Sequence, residues 1–103
     1  MPANTDDAFY ERADAHILLA NDQLQGLPSR GMASASMLFG TARFNAWVSA
    51  CGFESSTDMA TAKEETLNYF CEQYRKMLEE NLDDYIKNFS RYMQMSTDVP
   101  DGG

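Results

Sequence analysis

Apolar residues recur along this chain at steps of three and four, the spacing that puts them on one side of a helix. The first run follows Asn4 and Thr5, either of which is suited to cap it. Asp6 and Asp7 then fall in a first turn where carboxylates complement the helix dipole. Phe9, Ala13, Ile17, Ala20 and Leu24 form its stripe, with Tyr10 and His16 at the margins. The helix is expected to end near Leu24. Gly26, Pro28, Ser29 and Gly31 supply a turn short enough to make the next helix an antiparallel neighbour.

The second helix is expected over Met32 to Cys51, with Gly52 suited to the left-handed conformation just past a carboxyl terminus. Met37, Thr41, Phe44, Val48 and Cys51 make one apolar face. The opposite side carries Ala35, Phe39, Ala42, Ala46 and Ala50, and Arg43 is the sole charged residue of the run. A helix apolar on two sides needs neighbours on both. The third helix starts near Ser55, whose spacing to Asp58 is that of a capping box, and neither Gly nor Pro occurs from Asp58 to Met95. Leu67, Cys71, Tyr74, Leu78, Leu82, Tyr85, Phe89 and Tyr92 line one side. Glu65, Glu72, Lys76, Glu79, Glu80, Asp83 and Lys87 populate the other.

The pattern therefore predicts an all-α fold, a small bundle of two helices of roughly twenty residues and one long C-terminal helix. At 1.5 Å per residue the third helix spans roughly 55 Å against roughly 30 Å for the others, so its far half outreaches them. That half carries Leu82, Tyr85, Ile86, Phe89, Tyr92 and Met93. Covering six such side chains buries on the order of 600 to 900 Å² per subunit, the scale of a specific interface. Self-association is expected to complete the bundle, most economically as a two-fold homodimer. The competing expectation is that the far half frays, or bends near Asn81 and folds back as a fourth helix. A single helical domain over residues 6–95 is expected, between disordered ends at 1–5 and 96–103, the latter with Pro100 and two glycines.

Composition agrees with helices. Val and Ile amount to Ile17, Val48, Ile86 and Val99, too few β-branched residues for a sheet. The chain has 103 residues, enough for one small core, and is 44% hydrophobic against 23% charged, enough apolar surface to fold. Its formal net charge of −8 opposes contact with phosphate backbones and anionic membranes, so neither nucleic acid nor membrane is an expected partner. No apolar run reaches the roughly 18 to 20 residues needed to span a bilayer, and Met1 to Phe9 carry no basic region followed by an apolar run. The expected location is cytoplasmic, with Cys51 and Cys71 reduced and buried as small apolar groups.

Candidate chemistry is sparse. His16 is the single histidine, which removes paired-histidine metal sites, and it is read as a partly buried structural residue. Glu79, Glu80, Asp83 and Asp84 form stacked acidic pairs, but a straight helix cannot wrap six oxygens around a cation, so a solvated face is expected with Lys76 and Lys87 compensating. The cysteines lack C-x-x-C spacing, no serine has an evident histidine partner, and no phosphate-binding glycine loop is present. No metal and no cofactor is expected. Arg43, Asn45 and Trp47 stand out on the second helix. Arg43 is read as bonding within the chain to fix helix register, with a ligand pocket near all three as the alternative.

The stretches Phe9-Tyr-Glu-Arg-Ala-Asp-Ala-His-Ile-Leu-Leu-Ala-Asn, Ser34-Ala-Ser-Met-Leu-Phe-Gly-Thr-Ala-Arg-Phe-Asn-Ala-Trp and Tyr74-Arg-Lys-Met-Leu-Glu-Glu-Asn-Leu-Asp-Asp-Tyr resemble a family of short, alanine-rich helical bacterial proteins of unknown function. The resemblance runs from Phe9 to about Phe89, with Gly40 and Thr41 standing where alanine is expected. It implies a small cytoplasmic helical protein and brings no activity or functional residue. The expected function is non-enzymatic: a self-assembling or protein-interaction module using Phe39, Arg43, Leu82, Tyr85, Phe89, Tyr92 and Met93. A small-molecule binder or modest enzyme around Arg43, Asn45 and Trp47 is the alternative.

Overall fold

The computed structural model describes residues 5–97, with side-chain surroundings through Gln94. The expected disordered ends, 1–5 and 96–103, lie outside the described residues except for Thr5, Ser96 and Thr97. Every element is helical: α1 (Phe9–Leu24), α2 (Arg30–Ala50), α3 (Ser56–Thr61), α4 (Lys63–Lys87) and α5 (Phe89–Thr97). The all-α class holds, but among the described residues the expected three helices are five. The chain divides into two compact units, one ending at Asn45 and the other beginning at Ala46.

In the first unit, α1 begins past Thr5, one of the two expected caps, and the other, Asn4, lies outside the described residues. Ala8 takes the N-cap position with no side-chain bond, and a turn from Phe9 N–H to the Asp6 carbonyl, 3.0 Å, leads in. Asp6 is held by Arg12, which donates from both of its terminal nitrogens, so this carboxylate serves an ion pair ahead of the helix. Phe9, Ala13, Ala20 and Leu24 are half-buried as the stripe predicts, while Ile17 remains 50% exposed. His16 is exposed, contrary to the expected partly buried role, because it lies at the edge of that stripe.

α2 continues unbroken through Gly40 and Thr41, whose hydroxyl donates to the Met37 carbonyl at 2.9 Å. Gly52 is not left-handed. The chain leaves α2 through tight turns, from Gly52 N–H to the Ser49 carbonyl at 3.0 Å and from Phe53 N–H to the Ala50 carbonyl at 3.1 Å. Those bonds satisfy terminal carbonyls without a positive φ.

The second unit contains α3, α4 and α5. Ser55 is extended, φ −149° and ψ 159°, and its Oγ accepts from Asp58 N–H at 3.1 Å, the expected cap. The expected single long helix is interrupted at Ala62 (φ −90°, ψ 2°) and at Asn88 (φ −112°, ψ 25°). Side chains bonding back to the backbone flank both breaks. Thr61 donates to the Thr57 carbonyl and Thr66 to the Ala62 carbonyl, each at 3.0 Å. Asn88 Nδ2 donates to the Asp84 carbonyl at 3.1 Å and to Asp84 Oδ1 at 2.9 Å. Such bonds compete with the helical ladder and bend it without Gly or Pro. At Asn81, the position of the competing fold-back, α4 is continuous and the side chain donates to the Met77 carbonyl at 2.7 Å.

Among the described residues only Ala33 is buried, at 3% exposure. The second unit half-buries Met59, Ala62, Thr66, Phe70, Gln73 and Met77, a helical arc with Phe53 alongside. Its spacing matches the expected stripe on α4 but is rotated from it by about 110°.

Candidate functional site

The apolar residues left uncovered are the principal feature. On α4, Leu67, Tyr74, Leu78, Leu82 and Tyr85 are exposed along one line, Ile86 stands beside them 73% exposed, and Phe89 follows at the start of α5. Past Met77 no residue of α4 is even half-buried. On α2, Phe39 is 71% exposed, with Met32, Leu38, Phe44, Trp47 and Val48 also exposed. An exposed leucine is ordinary, whereas a contiguous line of rings and branched aliphatics along one helix is the candidate interaction surface of the molecule.

The expected interface residues fall into two groups. Leu82, Tyr85 and Phe89 are exposed, while Tyr92 and Met93 are half-buried. Phe39 and Arg43 lie on α2 in the first unit, four positions apart and so on one side of it. The register-fixing bond expected of Arg43 is not formed: its exposed side chain has no hydrogen bond or ion pair to a described residue. Arg43 and Asn45 are about 200° apart around the α2 axis, on opposite sides, with Arg43 exposed and Asn45 half-buried. Trp47 is exposed and belongs to the second unit.

Both thiols are free and exposed, which corrects the expectation of buried cysteines. Cys71 lies on the uncovered line of α4 and Cys51 just beyond α2, and neither position has a core around it. Among the described residues no group of three His, Cys, Asp or Glu side chains is placed to hold a metal ion. Of the acidic quartet's expected counter-charges, Lys76 instead pairs with Glu72 at 3.4 Å, one turn back along α4.

Sequence reasoning missed a polar cluster at the α4–α5 junction. The Tyr92 hydroxyl reaches Asp84 Oδ1 at 3.2 Å and Oδ2 at 3.1 Å, and Asn88 donates to the same carboxylate. The Arg91 guanidinium lies 5.1 Å from the centre of the Tyr92 ring, and Tyr85 packs against Tyr92 with centroids 4.8 Å apart. Asp84 is thus a tether for the first turn of α5 and not only part of a solvated face. The signal available was Asp84, Asn88 and Tyr92 at steps of four, which places all three on one side of a helix.

These features define an all-helical protein with uncovered apolar helix faces and no assembled catalytic constellation among its described residues. A family model described as "Protein of unknown function (DUF3144)" matches residues 9–86, and the chain belongs to that family. The match agrees with the resemblance noted from the sequence. Neither the curated proteins nor the solved structures gave a match. No helix among the described residues is long and apolar enough to cross a membrane.

Proposed function

We propose that this chain is a non-enzymatic helical module that assembles with itself as a homodimer, using the uncovered apolar faces of α4 and α2. The observation that carries the reading is the line from Leu78 to Phe89, where Tyr85 is 52% and Phe89 61% exposed and no neighbouring part of α4 is covered. Water contact at such side chains is unfavourable by roughly 1.5 to 3 kcal/mol each relative to full burial, so a few suffice to drive association. The Asp84 tether supports it by holding Tyr92 and Tyr85 in one arrangement before any partner arrives, which lowers the ordering cost of binding. Phe39 and Arg43 form a second patch on α2. Met93, half-buried beside Tyr92, extends the first. A net charge of −8 favours neither nucleic acid nor an anionic membrane as partner, and free thiols suit a reducing cytoplasm. A ligand pocket shared by Arg43 and Asn45 is less well supported, because the two side chains leave opposite sides of α2.

Light scattering across a size-exclusion peak tests the reading. At micromolar concentration the full chain should have twice its 11.6 kDa mass. Tyr85→Glu with Phe89→Glu should return it to monomer mass with helical circular dichroism largely kept. A strict monomer in the unaltered chain sinks the reading.

A further inference from the structure

We infer that the self-association is an antiparallel, two-fold pairing of α4 with α4 of a second copy, centred on Leu78. This rests on the reading above and adds direction and register to it. The exposed seam runs Leu67, Cys71, Tyr74, Leu78, Leu82 and Tyr85 on α4, with Phe89 opening α5. Outward from Leu78 the positions fall at the same distances both ways: Tyr74 and Leu82, then Cys71 and Tyr85, then Leu67 and Phe89. An isologous interface requires that residue i meet j while j meets i, and a seam with this spacing satisfies it when the second helix runs in the opposite direction.

Side-chain sizes select that direction. In the antiparallel register Leu78 meets Leu78, Tyr74 meets the second copy's Leu82, Tyr85 meets its Cys71, and Phe89 meets its Leu67. Every ring faces a smaller side chain, the alternation that fills space at interior density. A parallel register stacks Tyr74 on Tyr74 and Tyr85 on Tyr85 while leaving Cys71 opposite Cys71, with bulk at two levels and a gap at a third. Leu67, Leu78 and Phe89 repeat at eleven residues, about 3.67 per turn, so the seam stays nearly parallel to the helix axis over its length. Phe89 follows the break at Asn88, and the inner pairs set the register.

Charge agrees. Arg75 lies about 60° to one side of the seam and Glu79 about 100° to the same side. The two-fold axis keeps each flank on its own side, so Arg75 of one copy comes within about 3 Å, along the axis, of the other copy's Glu79; the contact occurs twice and offsets the repulsion between the two Glu79 residues, which are also about 3 Å apart along the axis. Within its own chain neither residue has a hydrogen bond or ion pair to a described residue. In the parallel register Arg75 instead lies nearest the second copy's Tyr74, about 1.5 Å away along the axis, and meets no opposite charge. The seam covers on the order of 600 Å² per copy, the lower end of a specific interface.

Single-thiol forms of the full chain separate the arrangements. Cys51→Ser leaves Cys71 alone, and Cys51→Ser, Cys71→Ser, Leu78→Cys places one thiol on the two-fold axis. A disulfide needs Cα atoms closer than about 7 Å, and in the antiparallel register two Cys71 residues lie about 21 Å apart along the axis. Mild oxidation should give a covalent dimer through Leu78→Cys and none through Cys71. Arg75→Glu should weaken the dimer roughly five- to twentyfold, and adding Glu79→Arg should restore it to within about threefold. A covalent dimer through Cys71 overturns the direction while leaving self-association intact. A dimer that cross-links at neither position, or a charge swap that fails to restore it, overturns the register. A monomeric unaltered chain overturns both this proposal and the reading beneath it.

Discussion

The near and far halves of the α3–α4 stretch share one helical pattern and meet different fates. From Met59 to Met77 an arc of Met, Ala, Thr, Phe and Gln is half-buried, covered by the chain itself. From Leu78 to Lys87 nothing is covered, although Leu82, Tyr85 and Ile86 are as apolar as anything in the near half. The difference lies in what each half has to pack against, not in its intrinsic hydrophobicity. From Leu78 to Lys87 the apolar side chains of this 25-residue helix stay exposed.

The strongest way to break this comparison is to remove one side chain from each half. Phe70→Ala, in the covered arc, should destabilise the chain at any concentration by about 2 kcal/mol, lowering the thermal midpoint by about 10 °C. Leu82→Ala should cost less than about 0.5 kcal/mol in dilute solution, where its side chain faces water, and should weaken association at high concentration. Thermal melts at two protein concentrations test both. Equal loss from the two variants under dilute conditions would erase the distinction between the halves.

At the entry to the near half, Ser55→Ala removes the hydroxyl that accepts from Asp58 N–H and should cost about 1 kcal/mol. Denaturant melts would show it, and Ser55→Asp should retain most of the stability because a carboxylate caps equally well. Full stability in the alanine variant would mean that α3 does not depend on its cap.

Much of this was legible in the sequence, and the exceptions have physical causes. The shortage of β-branched residues, the stripe on α1 and the Ser55 cap follow from local chemistry, and local chemistry decided them. The covered arc of α4 was not legible because it contains Thr66 and Gln73, so periodicity pointed to the richer stripe about 110° away, which is the exposed one. The breaks at Ala62 and Asn88 were missed because Gly and Pro were the signals sought, whereas Thr66 and Asn88 act through side-chain bonds to the preceding turn. At the candidate surface, periodicity and helix length together predict that Leu82, Tyr85 and Phe89 stay uncovered, and all three are exposed. The role of Asp84 is legible in the steps of four that join it to Asn88 and Tyr92, whereas the break at Asn88 is not. Arg43 was expected to find an acceptor, but nothing in the pattern of α2 fixes which element lies beside it.

Asn88 offers a smaller and sharper test of the far half. Asn88→Ala removes both bonds to Asp84 and substitutes a better helix former, which should join α4 to α5 and raise stability by a few tenths of a kcal/mol. Cα chemical shifts over residues 86–90 should become uniformly helical. Persistence of the break would assign it to the Tyr92–Asp84 bonds instead, and Tyr92→Phe in the same background would then remove it.

The smallest effect gives the scale of an exposed polar contact against which the apolar seam is measured. Asp6 is exposed, yet the hydrogen bond from Arg12 holds its carboxyl below the ordinary value of 3.8, opposed by desolvation and assisted by Coulombic attraction. Because the folded-state value is depressed, any contribution to stability is present above about pH 3.8 and is lost as pH falls through the folded value. Arg12→Ala should return the Asp6 titration, followed by side-chain NMR, to the ordinary carboxylate range while leaving melts at neutral pH nearly unchanged, since exposed pairs are strongly screened. An unshifted titration would show that the pair is not held in solution. A large loss of stability at neutral pH would show that polar contacts at the start of α1 rival the apolar contacts that the covered half of α4 makes and its far half lacks.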